Sequence, residues 1–356
     1  MTDSVRWDLD GAVATITLNR PQARNALTAE LKTELLRAVR QAGSSPEVRA
    51  VLITGAGQAF CAGQDLREHA ELLEAAGSRD GAAPAAGDPP AGVSSAGAWP
   101  AGPPAAGARP AGPPPAGAPP AGAPAAQAPL GSASAVSPPP AGQHLPAEGQ
   151  TTAGEQLAAG RPLAATGPPG PPAALDTVRE HYNPLVMAIR SMPKPVIAAV
   201  NGVAAGAGAG LALACDIRIA ARGASFLMAF ARVGLAADTG VSWTLPRLAG
   251  AGRAAELLML AEPIRAPLAL ELGLVSQVVE DEDLPVTAEA LAARLAAGPT
   301  AAYAGIKEQL NYAAEHGLAE ALEKEAEVQG VLGRTADHQA ATLAFTRKQE
   351  PRFLGR

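Results

Sequence analysis

A long segment rich in proline, alanine and glycine divides this chain and restricts the folded core to the residues on either side. Of the 34 prolines, 23 lie between Pro84 and Pro172. Proline removes backbone hydrogen-bond donors and glycine adds conformational entropy, so neither a helix nor a sheet propagates through such a segment. Trp99 is its only aromatic residue, which leaves little apolar surface to offset the cost of ordering. We therefore predict a long disordered Pro/Ala/Gly insert over 77–172, acting as a passive surface loop.

Composition and charge outside the insert are those of a soluble globular protein. The formal net charge of the whole chain is -6 and the basic residues are scattered, so we expect no nucleic-acid or membrane partner. Residues 1–4 lack a basic segment followed by an apolar one, and no apolar run reaches spanning length, which indicates a cytoplasmic protein. The two cysteines, Cys61 and Cys215, and five histidines show neither a disulfide framework nor metal-ligand spacing. We expect no metal.

The residues before the insert, 1–76, predict a β-β-α-β opening. Strands over 5–8 and 12–18 flank Asp10-Gly11, a dipeptide that favours a tight hairpin turn. Thr28 then begins a helix with apolar residues on one face, and the run over 50–54 is a short buried strand.

Order is predicted to resume after the insert. Residues 173–262 contain a helix, a strand over 195–200, a glycine-rich helix start and a second strand over 217–220. Residues 263–356 have helical spacing of apolar residues, with enough apolar surface to pack on a neighbour as well as on their own domain.

Two turns carry small residues beside helix starts: FCAGQDL at 60–66 and NGVAAGAG at 201–208. Helix starts leave backbone N–H groups without internal partners, and small residues let a ligand approach them. Two such groups that converge form an oxyanion hole for a thioester carbonyl that becomes an enolate. Each turn alone is weakly informative, because glycine-alanine turns also serve close packing of helices on strands.

In combination and order, several segments resemble the enoyl-CoA hydratase/isomerase (crotonase) superfamily. The matching segments are TLNRPQARNALT, AFCAGQDL, KPVIAAVNGVAAGAGAGLALACDIRIAA and GLAADTGVSWTLPRLAG. The resemblance covers the chain from about residue 5 to its end, without the insert. It implies an α/β fold with a repeated β-β-α spiral core and a C-terminal helical trimerisation segment, and hence a homotrimer or a dimer of trimers. It also implies an acyl-CoA substrate and no cofactor beyond the coenzyme A of that substrate.

The resemblance further implies roles for individual residues. The backbone N–H groups of Ala62 and Ala207 would be the oxyanion donors. Arg24 would lie near the nucleotide phosphates of coenzyme A, and the Gln64-Asp65-Leu66 turn near its adenine. Lys307 would reach a phosphate. For the two basic residues, a solvated surface charge is an equally good interpretation.

The carboxylates indicate the reaction. Water-adding members of the family carry two glutamates at places that fall on Gly210 and Phe230 here, so the pair needed for hydration is absent. Asp238 lies where isomerising and dehalogenating members carry an aspartate. By local sequence alone it would be a helix N-cap, but the resemblance favours a catalytic acid. Its apolar flanks, 228–230 and 235–237, would raise its pKa by desolvation.

Finer similarity favours one branch of the family. SFLMAF, HYNPLV and WTLP are similar to ring-1,2-epoxyphenylacetyl-CoA isomerases of phenylacetate breakdown, which turn an epoxide into an oxepin, although Val241 replaces a usual glycine. We expect such an isomerase, with Asp238 shuttling one proton. Three alternatives stay open. They are a double-bond isomerase of fatty-acid breakdown, a 4-chlorobenzoyl-CoA dehalogenase-like enzyme with a nucleophilic aspartate, and a non-catalytic scaffold that presents the insert.

Overall fold

The computed structural model describes residues 4–77 and 177–356. The predicted disordered insert lies outside these residues, apart from Gly77. The predicted boundaries of the four parts, 1–76, 77–172, 173–262 and 263–356, stay predictions.

The described residues form ten strands and eleven α-helices. The strands are β1 (Val5–Asp10), β2 (Val13–Leu18), β3 (Ala50–Gly55), β4 (Ala59–Cys61), β5 (Val196–Val200), β6 (Val203–Ala205), β7 (Ile217–Ala221), β8 (Ser225–Leu227), β9 (Ile264–Arg265) and β10 (Gln277–Val279). The helices are α1 (Ala29–Ser44), α2 (Leu66–Gly77), α3 (Asn183–Arg190), α4 (Ala207–Ala214), α5 (Val241–Ala249), α6 (Ala251–Leu260), α7 (Ala266–Glu271), α8 (Leu284–Ala297), α9 (Thr300–Ala313), α10 (Leu318–Leu332) and α11 (Ala336–Thr346). A π-helical turn, Val178–Tyr182, leads into α3, and a 3-10 turn, Ala229–Val233, precedes α5.

The strands form two sheets. The larger has the order β1-β2-β3-β5-β7-β10, in which β1 and β2 are antiparallel and the other neighbours are parallel. The smaller has the order β4-β6-β8-β9, with only β8 and β9 antiparallel. Helix α1 packs on β1 and β2, and α8 packs on β3, β5 and β7.

The chain repeats one unit three times across these sheets. In each of the pairs β3/β4, β5/β6 and β7/β8, the first strand joins the larger sheet and the second joins the smaller one. A helix follows each pair: α2, α4 and, after the 3-10 turn, α5. This topology confirms the predicted β-β-α core and stacks the strand-to-helix turns of the first two units side by side.

The opening of the chain agrees with the prediction except at its turn. Asp10 pairs with Val13, so the two turn residues are Gly11 and Ala12, one position later than predicted. Gly11 has a φ of +54°, a conformation that glycine adopts without steric cost. The Thr28 side chain caps α1 by accepting a hydrogen bond from the Leu31 N–H at 3.2 Å, as predicted.

One charged residue interrupts the buried face of α1. Leu31, Leu35 and Val39 are fully buried, as their spacing predicts, but Lys32 is also only 2 % exposed. A buried lysine is unusual, because the charged form loses its hydration. No helix within the described ranges is long and apolar enough to cross a membrane.

Candidate active site

The two predicted turns are in direct contact. A Cβ atom on Gly63 would stand 2.6 Å from the Ala205 carbonyl oxygen, and one on Gly208 would overlap the Cys61 carbonyl oxygen. Gly63 also has a φ of +88°, which other residues adopt only with strain. Glycine at both positions therefore lets the end of β4 and the start of α4 pack backbone against backbone.

The second turn has a free backbone N–H group at Ala207, whose role as an oxyanion donor stays a prediction. Ala207 is the first residue of α4 and is buried, and its N–H group donates to no acceptor in the described part of the chain. The first N–H groups of a helix have no intrahelical partner and lie at the positive end of its dipole. The Ala207 N–H group is therefore able to bind an oxygen that becomes negative.

The first turn differs from the prediction. The Ala62 N–H group donates to the Arg24 carbonyl oxygen at 3.0 Å, so it is occupied and cannot serve as an oxyanion donor. Two residues later, the Gln64 N–H group donates to no acceptor within 4–77 and 177–356. Gly63, between these two residues, lies beside Ala207: a Cβ atom added to Gly63 would be 3.5 Å from the Ala207 nitrogen. Gln64, and not Ala62, thus offers the second free donor.

A buried polar anchor fixes the first turn. Asn25 is fully buried and its side-chain amide donates to the carbonyl oxygens of Ala59 and Phe60 at 2.7 and 3.2 Å. Arg20 pairs with Asp65 at 3.0 Å and also donates to the Ala26 carbonyl oxygen. Because the backbone on both sides of Gly63 is held by these bonds, the direction of the Gln64 N–H group is set before a ligand arrives.

Asp238 lies in the loop between the 3-10 turn and α5, and is half-buried. Burial raises the pKa of its carboxyl group above the usual value. A hydrogen bond from the Thr239 hydroxyl, 2.6 Å from Oδ1, and the positive charge of Lys32 oppose that rise. A desolvated carboxyl group of this kind suits proton transfer near neutral pH.

Thr239, whose hydroxyl donates a hydrogen bond to Asp238, has a strained backbone conformation. It has a φ of +51°, which is rare for a β-branched residue, and it is 2 % exposed. Its side chain fills the space beside Gly210, where an added Cβ would come within 2.6 Å of the Thr239 Cβ. Position 210 therefore has no room for a side chain, and Phe230, the other position where hydrating members carry a glutamate, is a buried phenyl group.

Sequence reasoning missed a polar cluster that joins these groups. The Lys32 ammonium donates to Gln64 Oε1 at 3.1 Å and to Thr177 Oγ1 at 2.6 Å. Tyr182, also buried, donates its hydroxyl to the same Gln64 oxygen, and Lys32 stands 5.1 Å from the centre of its ring. Burial and the negative charge of Asp238 both raise the pKa of Tyr182. One signal was available: Lys32 occupies a position on the apolar face of a helix.

The residues predicted to bind coenzyme A differ in their exposure to solvent and in their contacts. Arg24 is exposed, and its backbone is left-handed with a φ of +51°. Leu66 is 56 % exposed, whereas the side chains of Gln64 and Asp65 are held by the contacts described above. The coenzyme A contacts of all four stay predictions.

Lys307 is part of a partly buried ion pair. Its ammonium lies 2.7 Å from Asp216 Oδ2 and donates to the carbonyl oxygens of Ile189 and Lys194 at 3.1 and 3.0 Å. These three acceptors use its three N–H groups and tie α9 to α3 and to β5. The predicted phosphate contact of Lys307 stays a prediction, but this geometry gives the residue a structural role.

A cavity of about 830 Å³ opens between α3, α5 and α9. Gly240 and Thr244 line it, but Asp238, Ala207 and Gln64 do not. The candidate site at the two turns and Asp238 is therefore separate from the lining of this larger space.

Comparison with known proteins agrees with this geometry. The family model for enoyl-CoA hydratase/isomerase matches residues 8–82 and 151–356. A 1,2-epoxyphenylacetyl-CoA isomerase of Escherichia coli is 33 % identical over 356 residues, covering all of both chains. A probable enoyl-CoA hydratase of Rhodobacter capsulatus is 34 % identical over 354 residues, covering 99 % of this chain and 98 % of that one. A crystal structure of a putative enoyl-CoA hydratase/isomerase from Mycobacterium abscessus superposes with a TM-score of 0.70 at 35 % identity, covering 99 % of this chain and all of that one.

The match to the family model, the full-length relatives and the stacked β-β-α units agree with the motifs in the sequence. The chain belongs to the enoyl-CoA hydratase/isomerase family, in the crotonase superfamily.

Proposed function

We propose that this enzyme is an acyl-CoA isomerase and not a hydratase. The observation that carries the proposal is the contact between Thr239 and Gly210. Hydration by this family requires two carboxylates around one water, and here a threonine side chain fills the place of one while Phe230 replaces the other. Asp238 remains as a single desolvated carboxyl group, which fits the transfer of one proton.

The mechanism uses the three groups that the fold brings together. The thioester carbonyl oxygen accepts hydrogen bonds from the Gln64 and Ala207 N–H groups, which stabilise the enolate that forms when a proton leaves. Asp238 takes that proton from the α or γ carbon and returns it to the rearranged product, so no atom is gained or lost. Preorganised donors are effective here because they need not reorient as the charge develops.

The acyl group we propose is the ring-1,2-epoxide of phenylacetyl-CoA, converted into its oxepin. Support comes from the full-length similarity to the E. coli isomerase of that name and from the position of Asp238. Val241, fully buried directly after Gly240, stands where the similar isomerases usually carry a glycine, and we propose that it narrows the acyl pocket. Isomerisation of β,γ-enoyl thioesters requires the same proton shuttle and is the second substrate class we propose.

The direct test is a panel of thioesters. We expect the pure enzyme to isomerise the ring epoxide of phenylacetyl-CoA or a β,γ-enoyl-CoA and to leave crotonyl-CoA unhydrated. Hydration of crotonyl-CoA at a comparable rate would refute the assignment, and would instead align this enzyme with the relative from R. capsulatus that is described as a probable hydratase.

We further propose that the enzyme assembles as a homotrimer or a dimer of trimers through its C-terminal helices. The last three of these helices, α9 to α11, expose large apolar side chains that a contact between chains would cover. The most exposed in α9 to α11 are Leu310, Leu318, Val331 and Phe345, at 66 %, 77 %, 60 % and 84 %.

A further inference from the structure

Lys32 is a buried cation that forms no salt bridge with a carboxylate of the described residues. Its ammonium is bound to the neutral oxygens of Gln64 and Thr177. Burying an ammonium with such partial compensation is costly, and a leucine at this position would continue the apolar face of α1. The charge is therefore retained at the expense of stability, which is typical of a group with a functional role.

Lys194 shows what a purely structural buried lysine looks like in the same protein. It is 7 % exposed, and its ammonium donates to the carbonyl oxygens of Ala42 and Ser45 at 2.6 Å each. These oxygens lie at the C-terminal end of α1, where a positive charge complements the helix dipole. Lys32 has no such local purpose, because it lies in the first turn of the same helix, at the unfavourable end of the dipole.

The contacts of Lys32 lead to the reaction centre. Gln64 Oε1 accepts hydrogen bonds from both Lys32 and Tyr182, which fixes the side chain of the residue whose N–H group is the first oxyanion donor. The charge of Lys32 also acts on Asp238 across the site. One cation thus faces both places where negative charge resides during the reaction, the carboxylate before proton transfer and the enolate after it.

We infer that Lys32 is a positioning residue of the proposed isomerase: it holds Gln64 in place for the thioester oxygen and supplies a positive charge on the side of the site that Asp238 faces. The inference rests on the proposed function, and it adds α1 to a site otherwise built from two turns and a loop.

The charged and titratable groups around the cluster come from three elements. Lys32 on α1 acts on Asp238. The charge of Asp238 in turn raises the pKa of Tyr182 in the π-helical turn. Glu68 on α2 favours the charged form of Lys32, and His181 stands close enough to be affected by the lysine charge. Burial lowers the pKa of Lys32, and the charges of Glu68 and Asp238 oppose that effect.

The sign of the expected effect follows from these charges. Without the positive charge of Lys32, the protonated form of Asp238 gains in stability, so the pKa of the Asp238 carboxyl rises. Since the ionised carboxylate removes the substrate proton, the acidic limb of the pH–rate profile moves to higher pH in Lys32→Met. Lys32→Arg keeps the charge, and its limb stays near that of the wild type.

The test follows two readouts in the full-length enzyme. The first is exchange of the α-protons of phenylacetyl-CoA for deuterium, followed by mass spectrometry across pH. The second is the titration of the Asp238 carboxyl, by NMR of protein labelled with ¹³C-aspartate and assigned with Asp238→Asn. Lys194→Met is the matched control, because it removes a second buried lysine that does not touch the site. Tyr182→Phe removes a contact to Gln64 while keeping the lysine charge.

We expect the acidic limb of the exchange-rate profile and the titration of the Asp238 carboxyl to move to higher pH in Lys32→Met. Both stay in place in Lys32→Arg and Lys194→Met. Tyr182→Phe lowers the exchange rate on the plateau without moving the limb. An Asp238 titration in Lys32→Met that matches the one in Lys194→Met would overturn the inference. The proposed function fails separately, if Asp238→Asn exchanges α-protons as fast as the wild type.

Discussion

At the scale of single residues, the proposed reaction depends on one carboxyl group and its immediate neighbour. Burial raises the pKa of Asp238, while the hydrogen bond from the Thr239 hydroxyl favours its ionised form. The same threonine fills the space at Gly210, so a single residue both tunes the acid and excludes a second carboxylate. Its strained φ of +51° is consistent with selection for this position and not for stability.

Replacing the acid tests its role directly. We expect Asp238→Asn to lower kcat for isomerisation by at least about a hundredfold, the usual contribution of a general base, with KM little changed. Steady-state kinetics with a β,γ-enoyl-CoA measures both constants. A variant that retains the wild-type kcat would remove Asp238 from the mechanism.

Replacing the neighbour tests how the acid is tuned. Thr239→Val keeps the side-chain shape but removes the hydroxyl that favours the ionised form of Asp238, so the pKa of Asp238 rises. Activity that requires the carboxylate is then lost at a higher pH on the acidic side. Thr239→Ser keeps the hydroxyl and serves as the control. The pH dependence of kcat/KM in the three proteins decides the point, and identical acidic limbs would contradict it.

The sequence predicted some of these residues and not others, for a physical reason. Asp238 and Ala207 were predicted because family motifs and a helix start mark them. Ala62 was wrong because the partner of its N–H group, the Arg24 carbonyl, comes from a distant turn that no local pattern reveals. Lys32 was missed because its place on an apolar helix face indicates packing, and only the tertiary structure brings Gln64 to it.

At the scale of elements, glycine positions decide whether the two turns can meet. Gly63 and Gly208 stand where any Cβ would overlap backbone atoms of the facing turn. The sequence signalled that these turns were rich in small residues. It could not distinguish close packing from ligand binding, and the structure shows that the two go together here.

Two glycine substitutions test whether an added Cβ is harmful only where the glycine is closely packed. Gly63→Ala has neither the space nor the backbone conformation for a Cβ, so we expect a loss of about 1–3 kcal/mol in the free energy of unfolding and a large loss of activity. Gly252→Ala in α6 places its Cβ in open space and is expected to be neutral or slightly stabilising. Urea denaturation and kinetics compare the two, and equal behaviour would contradict the packing argument.

The docking of α9 provides a second test at this scale. Lys307→Met leaves Asp216 without its ion-pair partner, and we expect a loss of about 3 kcal/mol in the free energy of unfolding. If Lys307 acts through structure alone, KM for the acyl-CoA is unchanged at temperatures well below unfolding. A raised KM without a change in stability would instead support the phosphate contact predicted for it.

At the scale of the molecule, the three β-β-α units explain why the site lies where it does. Each unit turns from one sheet to the other at the same level, so the turns at Gly63 and Gly208 face each other and the loop of the third unit brings Asp238 to them. The hydrophobic periodicities predicted the first strand of each unit, but not the second strands β4, β6 and β8, which are only three residues long. They did not predict how the units stack, because that depends on contacts between residues far apart in the chain.

The exposed apolar side chains of α9 to α11 lead to a prediction about assembly. We expect light scattering coupled to size-exclusion chromatography to give the mass of three chains or six. Charged substitutions at Leu318 and Phe345, which are 77 % and 84 % exposed, should shift the mass downward without unfolding the core. A monomeric wild-type enzyme would contradict the proposed role of these helices.

The most direct test of the central claim is the fate of two thioesters in one assay. The pure enzyme is incubated in separate reactions with a β,γ-enoyl-CoA and with crotonyl-CoA in water, and the products are separated by mass and retention time. The account predicts double-bond transfer in the first reaction and no gain of water in the second, because the place of a hydrating glutamate at Gly210 is filled by Thr239. Formation of 3-hydroxybutyryl-CoA at a rate matching that isomerisation would contradict it.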